Sequence, residues 1–128
     1  MGLKATVRNS LVNALVNQTN YTAPTAIYIS LHTADPGDTG ASEATYTSYA
    51  RVNATNSFPV AASGSSSNDV AIQFPTSTGG SNTVTHTGFW DAPTAGNWIG
   101  GGSLSVSKAI ASGDTASFAT SQLTVSIT

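Results

Sequence analysis

The sequence predicts a mainly β fold, an antiparallel sandwich or barrel with a single α-helix at its N-terminus. In several short stretches every second side chain is apolar, as in Ile27-Tyr-Ile-Ser-Leu31 and Val70-Ala-Ile-Gln-Phe74. This period of two is typical of strands that bury one face. Turn-forming clusters of glycine, serine, asparagine and proline separate these stretches. Because the connections are loops rather than helices, we expect largely antiparallel pairing.

Residues 3–17 are predicted to form the helix. Their apolar side chains recur mostly every three or four positions and so form one stripe: Leu3, Val7, Leu11, Ala14 and Leu15. Pro24 prevents any continuation. A single helix ahead of a β domain has to bury its stripe, either on the domain's own core or on another subunit. The second alternative makes Leu3, Val7 and Leu11 interface residues.

Seven strands are predicted after the helix, at 26–32, 49–54, 69–74, 83–91, 97–107, 115–119 and 122–127. The fifth of them contains three consecutive glycines, Gly100 to Gly102. Since glycine weakens a strand, this run indicates a bulge or a bend where the chain changes sheets. Close approach of another backbone or of a ligand is the alternative.

The length of 128 residues suits one domain with its own core. Within it, 1–20 form the helix and its exit and 21–128 the β-sandwich. The chain has no cysteine, which excludes disulfide and thiolate chemistry. No apolar run approaches the roughly 20 residues of a membrane span. Polar residues also interrupt the apolar core that a signal peptide would need at the N-terminus. We therefore expect a soluble protein that is made in the cytoplasm and binds no membrane.

Charged residues are scarce, at 8% of the chain against a usual share of about 25%. The net charge of −2 argues against binding nucleic acid, which requires a basic stripe. One interpretation is a β domain with short polar side chains on its outer faces. The other is a surface that packs against neighbouring subunits, because such a surface loses little side-chain entropy and little charge hydration.

An acidic loop follows the first predicted strand and contains Asp35-Pro-Gly-Asp38 and then Glu43. Proline and glycine favour a turn whose aspartates bond nearby amides, and we prefer this interpretation to a calcium site built from the same oxygens. Arg51 is one of only four basic residues, and its guanidinium could clamp Glu43 or Asp35. We predict that Asp35, Asp38, Glu43 and Arg51 fix the loop. A salt bridge from Arg51 to another subunit is the alternative.

No sequence motif indicates catalysis or cofactor binding. A nucleophile elbow, a phosphate loop, a zinc-ligand spacing and a paired-carboxylate arrangement are all missing, so we predict a protein that is no enzyme and holds no metal or cofactor. His86 is predicted to be a partly buried histidine bonded to a backbone carbonyl. The aromatic residues either fill the core or form a sugar-binding platform. Trp98, which follows Ala95-Gly-Asn97, is the candidate for exposure and for an interface.

Six motifs follow one another along the chain: Leu31-His-Thr-Ala-Asp-Pro-Gly-Asp-Thr-Gly40, Tyr49-Ala-Arg-Val52, Asp69-Val-Ala-Ile-Gln-Phe-Pro75, Val84-Thr-His-Thr-Gly-Phe-Trp-Asp91, Gly96-Asn-Trp98 and Ser112-Gly-Asp-Thr115. This order resembles a family of small bacteriophage virion proteins, described as tail fibre-like proteins or as capsid cement (decoration) proteins. The resemblance covers the chain from roughly residue 20 to its end. Together with the strand pattern, it favours a jelly-roll-like β-sandwich.

The resemblance implies a structural protein of the virion, made in the host cytoplasm. We expect a capsid cement protein on the capsid exterior, a homo-oligomer (dimer or trimer) that binds the major capsid protein and ties neighbouring copies together. The sequence has neither the internal repeats nor the coiled-coil heptads of a fibre shaft, which favours this interpretation. The alternative is a tail fibre or tail-tip module that recognises a host receptor.

Overall fold

A computed structural model describes residues 2–127, which form one helix and nine strands. These elements are β1 (Gly2–Leu3), α1 (Ala5–Val16), β2 (Tyr28–His32), β3 (Val52–Asn53), β4 (Ser65–Ser67), β5 (Ile72–Gln73), β6 (Ser81–Trp90), β7 (Trp98–Ala111), β8 (Ser117–Phe118) and β9 (Thr124–Ser126). Every strand pair is antiparallel. The structure thus confirms a mainly β fold, consistent with a sandwich, with one N-terminal helix.

The larger layer is a five-stranded sheet in the order β1-β7-β6-β2-β3. Its centre is the long β6–β7 hairpin, which is closed by the turn at residues 91–97. β2 lies on the other side of β6, with Ile29 opposite Phe89 and Ser30 opposite Gly88. Since opposed residues point to the same side of a sheet, Ile29 and Phe89 face one side and Ser30 and Gly88 face the other.

The second layer is an irregular ribbon made of the pairs β4–β9 and β5–β8. Backbone hydrogen bonds from the Asn68 amide to Leu123 and from the Ser121 amide to Asn68 bridge the gap between the two pairs, and a bond from the Phe74 amide to Ala116 extends the ribbon beyond β5–β8. The core of the domain has the following buried members: Ile29, Leu31, Ala44, Tyr46, Ala54, Ile72, Phe74, Val84, Phe89, Ile110 and Leu123.

All seven predicted strand segments contain a strand, although several strands are shorter than predicted, and the structure adds β1 and β4. β4 lies in the serine-rich segment 63–68, whose sequence predicts a turn rather than a strand. The three glycines do not carry β7 into another sheet, because Gly100, Gly101 and Gly102 pair with Phe89, Gly88 and Thr87 of β6. The register shifts instead on either side of them, next to Trp98 and beyond Ser103.

The first two of these glycines are explained by the alternative prediction, the close approach of other parts of the chain to the β7 backbone. A Cβ on Gly100 would overlap the backbone of β1 at Gly2, and a Cβ on Gly101 would lie 2.7 Å from the indole of Trp98. The glycines therefore let β1 and one tryptophan pack directly against the β7 backbone.

The helix begins at Ala5 rather than at residue 3, because Leu3 belongs to β1. None of its residues is buried. Leu3, Val7 and Leu11 are half-buried, whereas Val12, Leu15 and Val16 are 54%, 78% and 73% exposed. The domain's own core thus covers only part of the predicted stripe.

Candidate functional site

The outer face of the five-stranded sheet is covered by the loop 33–43. The two ends of this loop meet, because His32 and Glu43 form a β-bridge and the Ala44 amide donates to the Leu31 carbonyl at 2.8 Å. The loop therefore leaves β2 and returns to its edge. As a result both faces of β2 are buried: Ile29 and Leu31 lie in the core, and Ser30 and His32 lie beneath the loop.

Two tryptophans form the centre of this covered face. The rings of Trp90 and Trp98 meet edge to face at 5.3 Å, and the ring of His32 meets that of Trp98 at 5.2 Å. The Trp98 Nε1–H donates to the Gly37 carbonyl of the loop at 3.1 Å. We call His32, Trp90, Trp98, Glu43 and Arg51 the tryptophan cluster.

Glycines make room for these indoles. Gly40 has a φ of +74° and lies so close to both tryptophans that a Cβ there would be 2.5 Å from Trp90. A Cβ on Gly88 of β6 would overlap the Trp98 ring. The motif residues Gly40 and Gly88 are therefore required because a larger residue would push the loop or the indole away from the sheet.

A buried hydrogen-bond chain lies beneath the tryptophans. The His32 Nδ1–H donates to the Ala41 carbonyl at 2.7 Å, and this fixes the tautomer in which Nε2 accepts from the Ser30 hydroxyl, also at 2.7 Å. The Trp90 Nε1–H in turn donates to Ser30 Oγ at 3.1 Å. Burial lowers the pKa of His32, because a charged imidazole would lose its hydration. Ser30 and His32 are both 0% exposed, so this pair is out of reach of a substrate.

Arg51 joins the two loops that flank the cluster. Its Nε and Nη2 donate to the two carboxylate oxygens of Glu43 at 2.8 and 2.9 Å, and its Nη1 donates to the carbonyls of Ala92 and Ala95 in the 91–97 turn at 3.0 and 2.8 Å. The guanidinium carbon lies 3.7 Å from the centroid of the Trp90 ring, a cation–π contact. The Arg51 side chain is only 7% exposed. The structure thus shows the internal clamp, and the partner of Arg51 is Glu43 rather than Asp35.

A hydrogen bond joins Glu43 and Tyr49, and their surroundings shift the two pKa values in opposite directions. Burial by itself would raise the pKa of Glu43, but the hydrogen bonds from Arg51 and from the Tyr49 hydroxyl outweigh it, so the pKa lies below its usual range. The Tyr49 hydroxyl donates to Glu43 at 2.7 Å and accepts from the Leu31 amide at 3.1 Å. Burial and the neighbouring carboxylate raise the pKa of Tyr49. This tyrosine therefore ties the loop to β2 in its neutral form.

The two aspartates of the loop accept hydrogen bonds from backbone amides. The Asp35 carboxylate accepts from the Gly37 amide at 2.9 Å, which is the expected local turn. Asp38 accepts from the Ala5 amide at 3.3 Å and so interacts with the N-terminus of α1, where a negative charge is favourable. Within the predicted loop-fixing set, Glu43 and Arg51 therefore form the clamp, Asp35 shapes the turn, and Asp38 bonds the first residue of the helix.

The expectation that Trp98 is exposed is wrong. Trp98 is 3% exposed because Gly40 of the loop, Gly88 of β6 and the ring of Trp90 pack against it, so its indole is not a platform for a sugar ring. His86 is half-buried as predicted, but its ring nitrogen bonds the Thr85 hydroxyl at 2.8 Å rather than a carbonyl. In the sequence, the cluster could have been recognised from the glycines Gly40 and Gly88, which lie in the same motifs as His32 and Trp90.

The helix carries an apolar surface that lies outside the cluster. Its N-terminal end is attached to the domain by β1, by the bond from the Lys4 amide to the Ile99 carbonyl at 2.7 Å, and by Asp38. Its C-terminal half carries the exposed side chains of Val12, Leu15 and Val16. These three residues are spaced by three and one and therefore share one helix face. We call them the helix patch.

The described residues contain neither a cluster of metal ligands nor a membrane-spanning helix. Between residues 2 and 127, no three histidine, aspartate or glutamate side chains are grouped so that they could hold a metal ion. No helix in that range has the length and apolar character needed to cross a bilayer.

In the comparison with protein families, one family model matches almost the whole chain. The model of the family described as Podophage GP4 fiber I protein gp80 matches residues 2–126. The chain belongs to this family. It is accordingly a structural protein of a bacteriophage and is associated with the virion. A search of curated proteins found no match.

Membership of the fibre I family does not single out a capsid cement protein. Four of the six sequence motifs contribute a residue to the tryptophan cluster, namely His32, Arg51, Trp90 and Trp98.

Proposed function

We propose that this chain is a non-enzymatic subunit of a virion fibre and that its N-terminal helix docks it onto a neighbouring subunit. The observation that carries the proposal is the helix patch, in which Leu15 is 78% exposed on a helix whose other end is attached to the domain. An apolar helix face of this kind is buried in the functional state, because its exposure to water is unfavourable. The family description as a fibre protein supports the same assignment.

The tryptophan cluster supports a mechanical role. Its polar atoms bond to one another or to loop carbonyls, and its rings are packed on glycines rather than open to solvent. Such a fully bonded network rigidifies the region it occupies. A rigid anchor at the root of the helix fixes the direction in which the helix leaves the domain, as an assembly subunit requires.

A capsid cement protein is the second candidate. The scarcity of charge, 8% of residues, favours it, since a weakly charged surface loses little hydration when it is packed into a lattice. In this case the partner of the helix is the major capsid protein, the chain acts as a homo-oligomer on the capsid exterior, and many weak contacts add up through the symmetry of the shell.

The position of the protein in the virion separates the two candidates. We suggest labelling intact virions with an antibody fragment against the folded domain and imaging them by electron microscopy. The copy number per particle is measured in parallel by quantitative mass spectrometry. A fibre subunit gives label only around the tail and far fewer copies than the major capsid protein. Label spread over the head, with a copy number comparable to that of the capsid protein, contradicts the fibre assignment and supports the cement one.

A further inference from the structure

A shallow apolar groove opens on the side of the domain where β4 and β9 meet β2 and β6. It has a volume of about 250 Å³, and its lining residues are Ile27, Phe58, Pro59, Ser66, Phe89 and Val125. None of these residues is charged. The only side chain among them with a hydroxyl, Ser66, already donates to the Pro59 carbonyl at 2.7 Å. The groove therefore offers apolar contact and suits an apolar occupant.

Exposed apolar residues extend this groove at its rim. Val60, which follows Pro59, is 96% exposed, and Ile127, whose amide bonds the Gly64 carbonyl next to β4, is 61% exposed. The groove and its rim thus form an apolar surface on the body of the molecule. No lining residue of the groove belongs to α1.

We propose that the helix patch of one copy of the chain docks into this groove of the next copy. Both surfaces are apolar and uncharged, and α1 itself has a single charged residue, Arg8. The volume of the groove is roughly enough for two aliphatic side chains, since a cavity of about 150 Å³ holds one benzene molecule. This inference rests on the proposed function, because it names the neighbour of the helix as a second copy.

Charge favours a second copy as the occupant. Arg8 lies one helical turn before Val12 and is exposed. Beside the groove, Asp69 is exposed, and its amide donates to the carbonyl of Ser57, the neighbour of Phe58. The part of the chain that the structure describes contains one ion pair, Arg51 with Glu43. Within it, Arg8 donates to the Leu3 carbonyl, and neither Arg8 nor Asp69 has an oppositely charged partner. A helix that enters the groove brings a positive charge to a negative rim.

The arrangement is head to tail, because the helix and the groove are different surfaces. Such heterologous contacts produce a ring if the rotation closes and a filament if it does not. Three side chains cover far less than the roughly 800 Å² per partner of a stable interface. Each contact is therefore weak and reversible on its own, and a chain of copies forms only as the protein concentration rises.

Sedimentation velocity over a wide range of protein concentration tests the proposal, with circular dichroism to confirm that each variant is folded. Leu15→Ser removes the helix patch, Pro59→Asp places a carboxylate at the mouth of the groove, and Val106→Ser is the control, because Val106 is 71% exposed on β7 outside both surfaces. The wild type and the control should form species larger than dimers. Leu15→Ser should weaken association by on the order of tenfold or more, as loss of a buried leucine does.

Mixing the two defective variants gives the decisive result. Leu15→Ser retains a groove and Pro59→Asp retains a helix patch, so an equimolar mixture should stop at a heterodimer at concentrations where each variant alone stays monomeric. Arg8→Glu and Asp69→Lys should each weaken assembly a few-fold, and the double variant should restore it. A wild type that stays monomeric at every concentration overturns the proposal, as does a Pro59→Asp variant that assembles like the wild type. Neither result changes where labelled protein is found on the virion, so the fibre assignment is tested separately.

Discussion

Arg51 shows why one residue can determine the position of two loops. It makes four hydrogen bonds, two to the Glu43 carboxylate and two to carbonyls of the 91–97 turn, while its flat face covers Trp90. Only a planar guanidinium has donors that diverge in this way and a face that stacks on an indole. A lysine would keep the charge, but it would lose the fork and most of the stacking.

Replacing Arg51 should therefore destabilise the isolated domain. We expect Arg51→Ala to lower the free energy of unfolding by about 3 kcal/mol, because it leaves the partly buried Glu43 without its partner and frees two turn carbonyls. Urea denaturation of the purified domain measures the effect. The free energy of unfolding of Arg51→Lys should lie between those of Arg51→Ala and the wild type.

The matched control for this prediction is Arg8→Ala. Arg8 is exposed and makes one hydrogen bond, to the Leu3 carbonyl, so the substitution should change the free energy of unfolding by less than about 1 kcal/mol. Equal stability of Arg51→Ala and the wild type would show that the clamp does not hold the loops, and would return Arg51 to the alternative of an intersubunit contact.

At the scale of elements, β1 is the joint between the helix and the sheet. It pairs with β7 at only two positions, Gly2 with Gly101 and Leu3 with Gly100. The bond from Lys4 to Ile99 and the carboxylate of Asp38 complete the attachment. This attachment depends on Gly100, because β1 lies where a Cβ of residue 100 would be.

Gly100→Ala should accordingly release β1 and the helix from the sheet. The new methyl group would overlap the β1 backbone, which cannot move without breaking its pairing with β7, so we expect a loss of about 1–3 kcal/mol of stability. We also expect faster cleavage by trypsin after Lys4 and Arg8, which mass spectrometry of the fragments would detect.

Gly2→Ala provides the comparison for this variant within the same strand pair. A Cβ at Gly2 would lie 3.6 Å from the Gly101 carbonyl oxygen, an ordinary contact distance. This variant should therefore keep the helix protected from trypsin. Protection of both variants to the same degree would mean that close packing at Gly100 is not what holds β1.

For the whole molecule, the buried titratable groups make stability depend on pH. The pKa of His32 is lowered in the folded protein, chiefly by burial and also by the nearby Arg51, although the bond to Ala41 and the Glu43 carboxylate act in the opposite direction. Below the usual histidine pKa of about 6.5 the unfolded chain therefore binds a proton that the folded protein does not. Stability is complete above that pH and decreases as the pH falls toward the lowered pKa.

A second loss of stability should follow at lower pH. The folded pKa of Glu43 lies below its usual value of 4.5, so protonation below that pH favours the unfolded chain. We predict a melting temperature that is constant between pH 8 and pH 7, falls below about pH 6.5 and falls again below about pH 4.5. Differential scanning calorimetry across this range measures both steps.

His32→Gln assigns the first step to its residue. The variant should melt at a lower temperature than the wild type, because it disrupts the bonds to Ser30 and Ala41. Between pH 7 and pH 5 its melting temperature should change less with pH, since glutamine does not titrate. An unchanged first step in this variant would assign the pH dependence to another group.

The sequence by itself determined the elements of this protein. The period-two stretches predict the strand segments because alternation depends only on which side chains must leave water, and this is a local property of a strand. The apolar spacing predicts the helix for the same reason. The scarcity of charge also led to a clamp between Arg51 and the acidic loop, because few charges compete as partners, but the choice of Glu43 over Asp35 came from the structure.

Only the tertiary structure decided which surfaces are covered. Ser30 and His32 have the alternation of a solvent-facing side, and Trp98 follows a turn, yet all three are buried because the loop 33–43 folds back over the sheet. Conversely, the helix has a core-like stripe, but its end is held by Asp38 and β1 in a position where Val12, Leu15 and Val16 remain exposed. Burial depends on contacts between segments far apart in the chain, and the local pattern records the need for an apolar partner without recording which segment, or which subunit, supplies it.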